Sequence, residues 1–207
     1  MATIDASQIT FGKKYNDFIS TKVKGGIARF VVGTVDEPLR APFGVSEPKK
    51  PQNGGKEWKA TRKTMDLELE DSTLAELLAS IDAAVVAQAI KDPLNFFGKE
   101  LDEDTIRAKH QPLLTTKETF LPTVRTKVKI GTKDPTVVRV VSGERKFRRG
   151  TADDVATNAK VMAHVKLDSV WFAAGKFGVS LSVDDLVVWP VEEAKDRAFP
   201  GFDFAEE

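Results

Sequence analysis

The residues best suited to chemistry in this chain are cations that cluster between residues 124 and 149. In V-R-T-K-V-K-I, the two-residue repeat of a β-strand places Arg125, Lys127 and Lys129 on one face. The nearby segment R-K-F-R-R, predicted to be a loop, supplies four more cations around one phenylalanine: Arg145, Lys146, Arg148 and Arg149. Such cations can neutralise the phosphates of a nucleic acid, and arginine can also stack on bases. A solvated strand face would show the same spacing, so a polyanion ligand is one of two interpretations.

Aromatic residues form a second candidate group around a predicted turn at residues 173–178. Trp171, Phe172, Lys176 and Phe177 surround two glycines there. Proteins that bind single strands without sequence preference stack bases on such rings, and each stack contributes roughly 1 to 3 kcal/mol. Tryptophan and phenylalanine in strands are also common core residues. These four residues are therefore candidates for nucleic-acid binding, with core packing as the alternative for the rings.

The chain lacks the residues that much enzyme chemistry requires. It has no cysteine and only two histidines, which excludes disulfides, thiol catalysis and cysteine-ligated zinc. Phosphate-binding loops, serine-nucleophile motifs and dinucleotide fingerprints are missing from the sequence. We therefore expect a protein that is not an enzyme and that uses no metal and no cofactor.

Three carboxylates leave one catalytic hypothesis open. Asp66, Glu68 and Glu70 share a face of a predicted strand, and Mg²⁺ prefers closely spaced carboxylate oxygens. A metal-dependent nuclease is therefore a third hypothesis, although the same spacing is typical of a solvated strand face.

Charge is balanced over the 207 residues but is divided into blocks. Residues 1–65 carry a net charge of +6, residues 66–104 of −9, residues 105–150 of +9 and residues 151–207 of −6. Folding can interleave these blocks into a mixed surface, or it can leave a basic face for a polyanion. No signal peptide and no uninterrupted apolar run of membrane-spanning length is evident, so we expect an intracellular protein that does not contact a membrane.

Short strands must position these residues. Alternating apolar and polar residues predict strands at 27–33, 64–70, 124–130 and 136–141. Residues 161–189 predict a long hairpin whose second arm is interrupted at Asp184 and Asp185. This pattern predicts a mainly β protein with one or two helices: a small closed or half-open β-barrel with an inserted helix and long loops.

The inserted helix follows the second predicted strand. Leu74, Leu78 and Ile81 recur at helical spacing, Ser72 can cap the helix, and Asp92-Pro93 ends it. A shorter helix is expected at residues 103–109, within an otherwise irregular stretch at 95–122. The proline- and glycine-rich residues 40–56 predict a long loop.

The C-terminal residues differ in composition from the rest. After Pro190, the chain ends in an acidic segment that carries aromatic and acidic side chains: Phe199, Phe202, Phe204, Glu206 and Glu207. We therefore predict one domain at 1–190 and a tail at 191–207. The tail is expected to occupy the basic surface or to bind partner proteins, and docking on the barrel is the alternative.

Several of these segments together resemble a known family. The hairpin V-K-L-D-S-V-W-F-A-A-G-K-F-G-V-S-L, the strand P-T-V-R-T-K-V-K-I, the A-P-F-G turn and the acidic aromatic tail are similar to the single-stranded DNA-binding proteins of podoviruses and of large eukaryotic DNA viruses. The resemblance implies an OB-fold with an inserted helix. It also implies that Trp171, Lys176, Phe177 and the cations at 125–129 line a DNA groove, and that the tail recruits partners.

The leading hypothesis is therefore a sequence-independent single-stranded DNA-binding protein. It would coat and protect unpaired strands during replication or recombination and recruit replication enzymes through its tail. The alternative is a structural or interaction module, such as a minor virion protein, whose charge blocks mediate subunit contacts. The sequence leaves open DNA against RNA, a homodimer against a monomer, and, for a viral protein, the host nucleus against the cytoplasm.

Overall fold

A computed structural model describes residues 5–23, 26–48, 59–70, 72–143 and 146–191 of the chain. The strands in this part are β1 (Ile9–Tyr15), β2 (Phe18–Val23), β3 (Arg29–Val32), β4 (Leu39–Ala41), β5 (Val45–Ser46), β6 (Arg62–Glu68), β7 (His110–Gln111), β8 (Leu114–Lys117), β9 (Phe120–Lys129), β10 (Val137–Gly143), β11 (Lys146–Gly150), β12 (Ala159–Ala173) and β13 (Lys176–Trp189). The helices are α1 (Ser72–Lys91), α2 (Pro93–Phe97) and α3 (Glu103–Lys109), with short 3-10 turns at Ala6–Gln8 and Ala152–Asp154. The protein is therefore mainly β, as its alternating sequence predicts.

The predicted long hairpin is the centre of the sheet. β12 and β13 pair antiparallel around Ala174 and Gly175, whose φ angles of 48° and 76° fit the tight two-residue turns that match strand twist. The predicted interruption at Asp184 and Asp185 is wrong. His164 pairs with Asp185 and Val165 with Val183, so β13 continues and Asp184 is an extra residue in a β-bulge.

Shorter strands cover both edges of this hairpin. β2, β3 and β4 pair in turn with β12, whereas β7, β9 and β10 pair with β13. β9 also pairs with β6, and β6 pairs with β5. At the outer edges, β11 pairs with β10 and β1 pairs with β2. Within the described residues the hydrogen-bonded ladder does not close between β4 and β6. A bidentate ion pair spans that gap, with Arg40 donating to Glu68 at 2.6 and 2.8 Å, so the sheet is a half-open, OB-fold-like barrel.

Helix α1 begins and ends where the sequence predicts. Leu78, Ile81, Val85 and Ala89 are buried in the same hydrophobic cluster as the inner side of the sheet, which gives the helix its packing role. Length and composition alone would also let residues 73–91 cross a membrane. That property is shared by core helices of folded domains, and the burial of this face against the sheet is typical of them.

Two short helices follow α1. The predicted helix α3 is confirmed, and Asp102 caps it by accepting the Thr105 N–H at 2.8 Å. Helix α2 was not predicted. Asp92 accepts the Asn95 N–H at 3.2 Å, Pro93 occupies the first turn, and Gly98 ends the helix at φ 72°. These are ordinary start and stop signals of a helix, here on either side of a helix of only five residues.

The sheet has two faces that differ in character. The inner face carries buried apolar residues, among them Val124, Val128, Leu167 and Leu181. The opposite face, which we call the outer face, carries the residues that alternate with these. Because paired residues on neighbouring strands point to the same side, the strand registers define which side chains share the outer face.

Candidate nucleic-acid interface

The outer face contains the basic strand predicted from the sequence. On β9, Val124, Thr126 and Val128 are buried, while Arg125, Lys127 and Lys129 alternate with them on the outer face. Arg125 leaves 71% of its side chain exposed, and it donates to both carboxylate oxygens of Asp66 at 2.7 and 2.9 Å. This hydrogen bonding, with the charge of Asp66, raises the pKa of Arg125. The alternation is as predicted, but the exposed arginine is already paired.

Lys127 is in a different environment from its neighbours. It pairs across strands with Thr64 and Ser182 and donates to the hydroxyl of Ser180. Burial lowers the pKa of Lys127, the positive charge of Arg62 lowers it further, and Asp168 partly offsets both. A cation that is partly desolvated interacts strongly with an anion that reaches it, so Lys127 is suited to a close phosphate contact.

Lys129 and a cation from another strand share one carboxylate. Lys129 Nζ is 3.1 Å from Asp184 Oδ1, and Arg29 Nε on β3 is 2.9 Å from Asp184 Oδ2. Lys166 lies beside them, opposite Arg29 on β3 and Ser182 on β13. The cationic part of the outer face therefore extends across β3, β12, β13 and β9.

A row of aromatic residues continues the outer face at its other end. Tyr15 on β1 pairs with Phe18 on β2, Phe18 pairs with Trp171 on β12, and Trp171 pairs with Gly178 on β13. Tyr15 is 79% exposed and Phe18 is 46% exposed. We call Tyr15, Phe18 and Trp171 the aromatic row. Exposed rings on adjacent strands form the kind of platform on which successive bases stack.

Trp171 is held in the aromatic row by its neighbours. Its Nε1 donates to the Val179 carbonyl at 3.1 Å, and its ring lies across Gly178. A Cβ at residue 178 would lie 2.9 Å from Cζ2 of Trp171, so only glycine permits this close approach. The tryptophan is thus fixed before any ligand arrives, which reduces the entropy cost of stacking.

The other predicted aromatic residues lie on the inner face. Phe177 has no exposed surface and packs edge-on against Phe96 and Phe97 of α2. Phe172 stacks on Phe177 with a ring separation of 6.1 Å and is only partly buried, with Lys14 3.9 Å above its ring. The prediction that Phe177 stacks on bases is therefore wrong, because a fully buried ring cannot reach a ligand.

The predicted basic loop is a strand in the structure. β11 pairs with β10, and Arg139 and Arg149 face each other across this pair, as do Val141 and Phe147. Lys146, Phe147, Arg148 and Arg149 are exposed, and Arg148 donates to Asp154 at 2.5 Å. On its other side β10 pairs in parallel with β13, and Arg139 donates to Asp185 of β13 at 2.7 Å. Arg139, Phe147 and Arg149 thus extend the outer face, whereas Arg148 points to the other side.

The remaining predicted cations lie at the margin of the outer face or outside the described residues. Lys176 is exposed beside the hairpin turn, where it pairs with Ala173. Arg145 lies outside the described residues, and so do the tail residues Phe199, Phe202, Phe204, Glu206 and Glu207.

A groove of about 470 Å³ opens on the outer face between β3, β12, β13 and β10. Its lining combines apolar, cationic and acidic side chains: Arg29, Phe30, Val31, Lys129, Asp134, Pro135, Val137, His164, Asp184 and Asp185. His164 is predicted to be a packed or edge histidine. It lies in the middle of β12 with its side chain 3.6 Å from Asp185 and more than half exposed.

Two of the three carboxylates proposed for a nuclease are paired with arginines instead. Asp66 accepts from Arg125, and Glu68 accepts from Arg40. Among the described residues, no group of three or more acidic or histidine side chains is arranged to hold a metal ion. The strand spacing of these carboxylates reflects cross-strand ion pairing.

Sequence reasoning did not identify Tyr15, Phe18, Arg29 or Lys166 as site residues. The sequence does contain a signal for Tyr15 and Phe18, because the segment K-K-Y-N-D-F places one aromatic residue on each side of a short polar turn. Arg29 and Lys166 are single cations in alternating strands, and only the strand registers show that they adjoin Lys129.

Comparison with known proteins identifies similar folds. No family model matches the sequence, and no curated protein compared with it matches. The crystal structure of gp2.5, a single-stranded DNA-binding protein encoded by bacteriophage T7, gives a TM-score of 0.52 at 14% identity over 86% of this chain and 97% of that one. The C-terminally truncated single-stranded DNA-binding protein of bacteriophage Enc34 gives a TM-score of 0.45 at 11% identity, over 91% of this chain and 99% of that one. The chain therefore has a fold similar to that of gp2.5, while membership of the family stays a prediction.

Proposed function

We propose that this protein binds single-stranded DNA without sequence preference and that the outer face holds the strand. One observation carries the proposal: the aromatic row and the cations of β3, β9 and β12 share a single face of one sheet. Aromatic platforms beside phosphate-neutralising cations are the two elements that this kind of binding uses. The similarity of the fold to gp2.5 supports the same function.

We also propose a cellular role for this binding. We infer that the protein coats and protects unpaired strands during replication or recombination inside the cell, without catalysing a reaction, and that its acidic aromatic tail recruits partner enzymes. A tail of three phenylalanines and several acids supports partner binding, since such segments offer both apolar anchors and charge.

The direct test is fluorescence polarisation with labelled oligo-dT at several salt concentrations. The expected result is binding that weakens as salt rises, with a slope of log affinity against log salt of about −0.7 for each phosphate neutralised. A protein that does not bind at low salt would contradict the proposed function. Strand cleavage on addition of Mg²⁺ would support the nuclease hypothesis instead.

A pair of variants tests whether the outer face is the surface that binds DNA. Replacing Tyr15 and Phe18 together by alanine removes two exposed rings of the aromatic row and is expected to weaken oligo-dT binding by at least tenfold, at about 1 to 3 kcal/mol per lost stack. Phe43→Ala is the matched control, because Phe43 is 65% exposed but lies in the turn between β4 and β5. Equal effects of both changes would argue against the outer face.

A further inference from the structure

Asp184 holds two cations of the outer face from the position of a β-bulge. The bulge leaves Asp184 without a cross-strand partner between Val183 and Asp185, and its side chain reaches both Arg29 and Lys129. The two cations come from strands on opposite sides of the central hairpin, β3 and β9. Without this carboxylate, nothing in the described contacts would connect them.

The surroundings of Asp184 favour its charged form. Burial alone would raise the pKa of Asp184, but hydrogen bonds from Arg29 and Lys129 outweigh the burial and hold the pKa below its ordinary value. Only 18% of its side chain is exposed, whereas 58% of the Arg29 side chain is. The carboxylate lies at the wall of the groove, and a cation partner remains open to solvent.

We propose that Arg29 and Lys129 form a phosphate-binding subsite of the outer face, and that Asp184 occupies this subsite in the free protein. The inference rests on the proposed function and adds to it a location for one phosphodiester and an internal competitor for that location. Arg29 Nε and Lys129 Nζ donate to the two oxygens of one carboxylate, and two oxygens of a phosphodiester can accept the same pair of charge-assisted hydrogen bonds. Binding then requires the phosphodiester to replace Asp184 as the acceptor.

This exchange has two measurable consequences. Partly exposed ion pairs are weak, so removing the competing charge should strengthen DNA binding by about three- to tenfold. Arg29, Lys129 and Asp184 together carry a net charge of about +1, and about +2 without Asp184. Asp134, exposed and 3.7 Å from Lys129, lowers both sums by one and leaves their difference unchanged. One additional cation should therefore steepen the salt slope by about 0.7.

The test compares Asp184→Asn with Arg29→Gln in oligo-dT titrations at several salt concentrations. Asp184→Asn is expected to tighten binding and steepen the slope, whereas Arg29→Gln is expected to weaken binding and flatten it. Asp104→Asn is the control for net charge, because it removes the same charge from the exposed first turn of α3. Its affinity and slope should stay at the wild-type values.

The outcomes separate this inference from the proposed function. Wild-type binding combined with an Asp184→Asn variant that binds equally or more weakly, while keeping the wild-type melting temperature, overturns the subsite. If neither protein binds DNA, the proposed function fails and the subsite with it. Should Asp184→Asn lose its fold, Arg29→Gln decides, because Arg29 is largely exposed and its loss does not open the core. Wild-type affinity and salt slope in Arg29→Gln would then overturn the subsite.

Discussion

At the scale of single residues, Lys127 combines a position on the outer face with an energetic cost. Its burial disfavours the charged form, so the folded protein holds a lysine whose pKa is lowered from 10.5. At neutral pH both the folded and unfolded states carry the charge, and the folded state bears the full desolvation cost. As pH rises through the lowered pKa, the folded state releases its proton before the unfolded state does. Stability from this group therefore increases with pH until about 10.5 is reached.

Lys127→Met tests this cost and the function together. The variant is expected to be at least as stable as the wild type near pH 7, to lose that advantage as pH approaches about 10, and to bind oligo-dT more weakly. Urea unfolding at the two pH values and polarisation titrations give the three quantities. A variant that is less stable at neutral pH and binds DNA normally would show that Lys127 is a structural residue.

A second residue-scale prediction separates packing from stacking among the aromatic residues. Phe177→Ala opens a cavity beside Phe96 and Phe97 and should destabilise the protein by about 3 to 5 kcal/mol. Tyr15→Ala should leave the melting temperature within about a degree of the wild type, because the ring is exposed, while weakening DNA binding. Thermal unfolding and titration of both variants decide the matter. A large loss of stability in Tyr15→Ala would place that ring in a structural role.

The sequence predicts the outer-face cations better than the rings. Strict alternation from Val124 to Ile130 is enough to place Arg125, Lys127 and Lys129 on one side. Their carboxylate partners come from segments about 55 to 60 residues away, such as Asp66 and Asp184, and no local pattern reveals that pairing. For Trp171, the choice of face depends on a register shift between Leu167 and Ser169 that the sequence does not show. Phe177 instead continues the alternation of Val179 and Leu181 on the inner face of β13.

At the scale of elements, helix α1 is anchored by one buried carboxylate. Asp82 accepts the backbone N–H of Leu113 at 2.8 Å and lies 3.2 Å from His110, so it joins the helix to the segment that includes β7 and precedes β8. Asp82→Ala would leave the Leu113 N–H without its acceptor in a buried position. We expect a loss of about 1 to 3 kcal/mol in urea unfolding. Glu76→Ala, on an exposed position of the same helix, is the control and should change stability by less than about 0.5 kcal/mol.

Elements with a strong local pattern are the ones that the sequence identifies. The long hairpin and α1 have clear periodicity together with turn or stop residues, and α3 has the capping residue Asp102. All three are found where expected. The β1–β2 hairpin was not predicted, because Gly12 and two lysines interrupt its alternation and Asn16-Asp17 is a weak turn signal. β11 was predicted as a loop, since R-K-F-R-R has no alternation and becomes a strand only by pairing with β10.

At the scale of the whole molecule, folding interleaves the four charge blocks. Arg125 of the second basic block pairs with Asp66 of the first acidic block, and Arg29 and Lys129 from two basic blocks meet Asp184 of the last acidic block. In the described residues the outer face is therefore a mixed surface in which carboxylates already hold several cations. Its net attraction for a polyanion is smaller than the block charges suggest, and additional acidic segments should affect it measurably.

The C-terminal tail at residues 191–207 is such an additional acidic segment. Deleting Phe199–Glu207 removes three negative side chains and no described strand, because the last strand in the described residues ends at Trp189. The fold should therefore survive. If the tail competes for the outer face, the truncated protein should bind oligo-dT more tightly, most clearly near 0.01 M salt, where the Debye length is about 30 Å. The difference should shrink towards 0.15 M, where screening reduces the length to about 8 Å. Polarisation titrations at both salt concentrations, with melting temperatures of both proteins, measure this difference in affinity.

Weaker DNA binding of the truncated protein together with a lower melting temperature would show instead that the tail phenylalanines help to close the core, because losing a docked segment removes apolar packing as well as charge.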